Sequence, residues 1–466
     1  MKLFSNAVLA STLFCLTPLT SQAALFPLDT GANNKDSGTV PYNVPALGYN
    51  FINSNVNFTI LDATTIGAFA GGAIDNNYLN IIGICGGGAC TGDVINFAGA
   101  ATVQGSIGAT NGLATVNLMG ASKTVAFQGN VTNTPLVFQA NGTASLADTV
   151  VVSSFVDNAS GTAKSGTVQF LGGGKISGNI GAINSLNLIS LNTAGGAKTI
   201  ELDGAIVNTN ALNVVGGTTT LLLKGAGVMA VNSNITTNNS NLDIINIAGT
   251  GTTTINGSIG TNANNFNQVR VGQNGNTAMN GDIYSANTEF FGTGSLTMAN
   301  GNSIFGPVTT SANNQGILNF AGTSSIGSAI GGAGAALNAV NINGAIGTAV
   351  HLNNNIFATT VTVNNGATLS IGDPTITGTV NVVSGGTISL GNNMDLIVAG
   401  GAGAFTLNPG ATLQIDMGSN TTTTGTITTS GGGTAVTSTS SLLAILNAPS
   451  VIPGGKATIP LIISNG

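Results

Sequence analysis

Charge is what this chain has least of: only 5% of its 466 residues are charged, with 9 Lys and Arg against 15 Asp and Glu. It also has no Trp, a single His, 3 Cys and 11 Pro. So few basic residues, none of them clustered, exclude electrostatic capture of nucleic acid or anionic lipid. Scarce Glu, Lys and Arg also remove the residues that solvate long helices. Disorder is excluded from the other side, because 42% of the residues are hydrophobic, the mean hydropathy is +0.37 and the formal net charge is only -6. Beyond the N-terminus no apolar run approaches the roughly 18 residues of a membrane-crossing helix. In place of these features stand 69 Gly, without the three-residue period of collagen. A β-rich chain covered by Asn, Thr, Ser and Gly is what remains.

Residues 1–23 read as a secretory signal: Lys2, an apolar stretch from Ala7 to Leu19, then Ser21-Gln22-Ala23 with small residues at the cleavage positions. Cys15 lies inside that stretch behind Phe14 and lacks the small residue expected before a lipidated cysteine. Export leaves Cys85 and Cys90, in Ile-Cys-Gly-Gly-Gly-Ala-Cys. An oxidising compartment and a Gly-rich spacer permit a disulfide between them; free thiols and, less favourably, a metal site are the alternatives.

The strongest signal is a repeat. An apolar strand ending in Gly, followed by an apolar-x-Gly-x-Ile-Gly run, recurs with lead residues Phe97, Phe170, Ile247 and Phe320, which are 73, 77 and 73 positions apart. The run is Val103, Gly105, Ile107, Gly108 in the first copy, and the fourth departs from it with Ser328 in place of Gly. A second motif keeps step, at Phe127-Gln128-Gly129, Leu202-Asp203-Gly204, Met279-Asn280-Gly281 and Leu352-Asn353-Asn354. Within each copy, apolar residues at alternate positions (Val116/Leu118, Ile200/Leu202) are separated by turn residues, which predicts short β-strands.

A unit of about 75 residues without Trp buries too little on its own, so the units must stack. The fold expected is all-β, a right-handed parallel β-helix (β-solenoid) with several coils per repeat and Gly and Asn at its corners. Proline agrees with this: between 96 and 440 only Pro135, Pro307, Pro374 and Pro409 occur. The chain divides into the signal (1–23), an N-terminal cap region (24–95), the tandem repeat (96–365) and a Thr- and Gly-rich β segment (366–466) that ends as though cut short. At about 4.8 Å per coil the exported chain makes a rod on the order of 90 to 100 Å long.

Catalytic chemistry finds little support. Glu201 and Asp203 lie on one strand face, as a carboxylate pair in a polysaccharide-acting enzyme would, but the corresponding positions of other copies hold Ala278 and Asn280 or His351 and Asn353. A solvated outer face is the simpler reading, and His351 lacks an acidic orienter. Gly86-Gly87-Gly88 is followed by no Lys-Ser/Thr, and Gly400-Gly401-Ala402-Gly403 lacks the Asp of a calcium-binding nonapeptide. No cofactor or metal is expected.

The repeated Asn-Phe-Ala-Gly units, with Asn-Gly-Ala-Thr-Leu-Ser-Ile-Gly at 365–372 and Asn-Pro-Gly-Ala-Thr-Leu-Gln-Ile-Asp at 408–416, resemble autotransporter passenger regions, in particular those of the rickettsial outer-membrane surface antigens. The resemblance implies an exported rod at the bacterial surface or outside the cell, contacting host-cell surface molecules. It also implies attachment to the outer membrane through a barrel, whose aromatic-belted strands this sequence does not contain. A surface-coat protein that self-associates without a receptor is the alternative, and a polysaccharide-acting enzyme a more distant one.

Overall fold

The structure is a computed structural model. It describes residues 90–108, 112–225, 227–272, 274–391, 394–400, 404–416 and 426–430, and outside these only short strands at 26–28, 34–36, 49–51, 57–60, 64–66, 82–83, 442–446 and 462–465. The signal segment, Cys85 and the side chain of Cys90 lie outside the described residues.

Among the described residues the strands pair in parallel with the strand one turn away, and the antiparallel contact is a single bridge between Gly332 and Ala335. Three ladders result. The first face climbs from Ile95 through Val116, Leu136 and Val156, then through isolated bridges at Ile180 and Val207, and on to Val382 and Leu407. The second begins with Val103, Phe127 and Leu146, the third with Ile107, Val131 and Val152. This is a β-solenoid of about 14 turns, and at about 4.8 Å per turn that portion is roughly 65 Å long.

Alternation does the sorting, since successive side chains of a strand point to opposite sides. Leu136–Phe138, Val150–Val152 and Thr219–Leu223 each bury every second residue. The buried residues form one continuous core, with Phe97, Phe127, Phe138, Phe170, Phe266, Phe290, Phe320 and Phe405 the largest fully enclosed side chains. Phe97 and Phe127 meet edge to face, centroids 6.2 Å apart, the geometry the ring quadrupole favours.

The register explains why two motifs keep step in the sequence. Val103 pairs with Phe127, Ile255 with Met279 and Ile326 with Leu352, so the second motif lies directly on the first, one turn later. Their glycines touch: a Cβ on Gly129 would stand 2.3 Å from the carbonyl carbon of Gly105, and one on Gly204 2.3 Å from the carbonyl oxygen of Gly178. At the end of the lead motif, Gly108, Gly181, Gly260 and Gly331 share φ values of 69°, 63°, 71° and 69°, a left-handed corner that disfavours any side chain.

Successive copies do not land on one another. Phe97 is on the first face, Phe170 on the second, Ile247 on the third and Phe320 on the first again, each three turns and one face beyond the last. The sequence motif therefore winds around the rod. Across residue 366 the second-face ladder continues, Ala349–Leu352 pairing with Thr368–Ile371 and that strand with Thr387–Leu390.

Candidate contact surface

The outward positions carry hydrogen-bonded amide and hydroxyl ladders. Asn117 Nδ2 donates to Asn96 Oδ1 at 2.8 Å, and Gln139 Nε2 donates to Asn117 Oδ1. Asn256 Nδ2 donates to Asn232 Oδ1, and Asn280 Nδ2 to Asn256 Oδ1 at 2.6 Å. Parallel register places like residues one rung apart, and an amide satisfies this because it is donor and acceptor at once. At the corners Asn130, Asn179 and Asn234 use their Oδ1 atoms to accept a backbone N–H from the following turn.

Charge is concentrated on the third face. Lys175 stands one rung before Glu201 and donates to its carboxylate at 2.7 Å and to Asp203 at 3.0 Å. Lys224 approaches Glu201 at 3.8 Å, and Lys198 pairs with Asp148 nearby. Glu201, and after it Asp203, hold the Lys175 ammonium above the usual lysine value. The hydrogen bond from Lys198 is the main cause of the lowered Asp148 value. Glu201 and Asp203 do share a face, as the sequence indicates, but Lys175 ties both carboxylates to one cation. His351 is outward and exposed, between Ser325 and Ser370 on neighbouring turns.

Two acidic side chains are turned into the fold instead. Asp157, 3% exposed, accepts the backbone N–H groups of Ile183 and Asn184, tying one corner to the next. Asp243 is fully buried, accepts the N–H of Thr219 at 2.7 Å and the hydroxyl of Thr237, and burial pushes its carboxyl above the ordinary carboxylate value.

Sequence reasoning missed the aromatic features of the surface. Tyr284 and Phe305 stack with centroids 4.4 Å apart and planes 4° from parallel. Arg270 lies over the ring of Phe291 at 4.9 Å. An open hollow of about 490 Å³ is lined by Asn313, Gly334, Phe357, Thr359 and Gly378 among others. Each aromatic pairing joins residues 21 positions apart, so the available signal was the turn length, which the strand pattern alone leaves undefined. Among the described residues no three of His, Cys, Asp and Glu come together to hold a metal ion, and no helix is long and apolar enough to cross a membrane.

The chain is 29% identical over 407 residues to the outer membrane protein A of Rickettsia rickettsii, an alignment that takes in 85% of this chain and 17% of that protein. It thus spans about a sixth of the relative's length, and the resemblance to rickettsial surface antigens read from the repeats is borne out. No family model and no solved structure matches.

Proposed function

We propose that the chain is a rod-shaped stretch of a non-catalytic, autotransporter-type passenger, exported to the bacterial surface, whose outer faces make adhesive contact with host cells. The observation that carries this reading is the combination of a continuous parallel solenoid with similarity to a rickettsial outer membrane protein over 85% of the chain. The signal-like residues 1–23 and the sparsely charged, hydrogen-bonding exterior support it. Contact would be multivalent: many weak patches on a stiff rod gain avidity through effective concentration.

The test is direct. Beads coated with the purified chain should bind host cells saturably and be displaced by soluble chain, and protease applied to intact bacteria should remove the protein. Beads that bind no better than albumin-coated ones would overturn the adhesive part, and protection of the protein inside intact cells would overturn the surface part. A coat role is the second reading, favoured by the repeated open amide ladders, and ordered sheets or arrays in electron micrographs of the isolated chain would support it.

A further inference from the structure

The fourth copy of the lead motif breaks the pattern: its glycine stands one position early, so that Ile326-Gly327-Ser328 replaces apolar-x-Gly. Strand register shows the consequence. Ile283, Ile304, Ile326 and Leu352 are successive rungs of the second face, so the outward residues after them, Tyr284, Phe305, Gly327 and Asn353, form one column. Tyr284 covers one face of the Phe305 ring. On the other side the next rung is Gly327, which has no side chain, and Phe305 is left 44% exposed. A Cβ built on Gly327 would touch nothing closer than 3.8 Å. The rung beyond brings Asn353.

Two rungs separate Phe305 from Asn353, about 9.6 Å at the spacing of a parallel ladder. A ring laid between them at van der Waals contact on both sides needs roughly 7 to 8 Å. The notch is therefore at least one ring deep, since the Asn353 Oδ1 leans toward Gly372 on the turn beyond. Beside it runs a second outward column, Ser303, Ser325 and His351; Ser303 and Ser325 share a hydrogen bond at 2.9 Å, and Ser325 pairs with His351 in register. Beneath, Asp282 receives the Tyr284 hydroxyl at 3.4 Å and the backbone N–H of Ser303.

We propose that this notch binds a neutral pyranose ring of a surface glycan, its C–H face on Phe305 and its hydroxyls toward Asn353, Ser325 and His351. The face of an aromatic ring is electronegative and attracts polarised C–H groups. Hydroxyl, amide and imidazole groups on the rim match a ligand whose hydroxyls both donate and accept. Asp282 and the net charge of -6 disfavour acidic sugars. Tyr284 holds the Phe305 ring flat, so the platform itself does not have to be ordered on binding. The assignment rests on the contact-surface reading for its biological use, and it names the ligand class of one patch on that surface.

Saturation-transfer NMR on the full chain, with methyl glycosides of glucose, galactose, mannose and N-acetylglucosamine as separate probes, tests it. At least one should show transfer to its ring C–H protons. Phe305→Ala and Asn353→Ala should each weaken that probe by tenfold or more, and Phe305→Trp should retain it. Gly327→Leu, which fills the notch in open space, should abolish it while the melting profile stays that of the wild type. No transfer from any of the four glycosides would overturn the proposal, as would binding that Phe305→Ala and Gly327→Leu leave unchanged, or a notch that takes a proline-rich peptide and no sugar. Failure here with saturable bead binding intact would remove the glycan site and leave the adhesive rod standing; loss of bead binding alone would remove the rod's adhesion and leave the site.

Discussion

At the scale of single residues, the positions that matter most are those where one turn leaves no room for a side chain on the next. Gly181 has φ 63° and a Cβ there would stand 2.2 Å from the carbonyl oxygen of Asn208, whereas Gly195 has φ 82° with nothing within 4 Å. Left-handed backbone alone costs a non-glycine residue roughly 1 to 2 kcal/mol. Gly195→Ala should therefore lower stability by about that much, and Gly181→Ala by clearly more, because the ladder must also move. Urea unfolding followed by circular dichroism compares the two, and equal losses would mean that the close approach is relieved elsewhere. Asp243 supplies a pH signature. Its folded value lies above the ordinary 3.8 because burial disfavours the charged form, so its contribution is fully present below the unfolded value and is lost as pH rises through the folded one. Asp243→Asn retains a partner for Thr219 and Thr237 and should melt above the wild type at pH 7, the difference closing as the pH falls toward 4. Parallel melting curves at every pH would show that Asp243 is not the group responsible.

At the scale of strands and turns, each rung contributes one or two enclosed apolar side chains to a core that only its neighbours complete. Truncating the buried Phe170 to Ala should cost about 3 to 5 kcal/mol, and in a quasi-one-dimensional array the loss should stay local. Hydrogen exchange should accelerate around Leu146, Phe170 and Leu191 and remain slow near Val363; uniform acceleration would mean that the solenoid melts as one unit. Short strands, glycine corners and parallel stacking were legible in the sequence because alternation and positive-φ glycine are local properties. The phase was not. Turn lengths along the first face run from 19 residues, as between Met279 and Met298, to 27, as between Ile180 and Val207. A repeat of about 75 residues therefore reads as stacked units, although each copy is displaced by one face. The same variability hid Lys175 beneath Glu201 and Tyr284 beneath Phe305, pairs that exist only once the register is known.

At the scale of the whole molecule, the winding of the motif means that no single side of the rod collects its copies. Phe97 and Phe320 share a face only after ten turns, and the copies between them lie on the other two faces. The contacts proposed for this surface would thus be spread around the axis, with the charged cluster at Lys175, Glu201 and Asp203 internally paired. Contact through such a surface should draw on hydrogen bonds and ring stacking rather than on net charge. Ions screen exposed charges with a Debye length of about 8 Å at physiological salt, and of only about 3 Å at 1 M. Binding of coated beads to host cells should therefore change by less than about twofold between 0.15 and 0.5 M NaCl, measured by flow cytometry at half-saturating bead number. A fall of tenfold over that range would show that ion pairs carry the contact. The paired cluster on the third face would then be the region to alter, and Lys175→Met, which strips Asp203 of its ammonium and leaves Glu201 only Lys224 at 3.8 Å, should change the binding most.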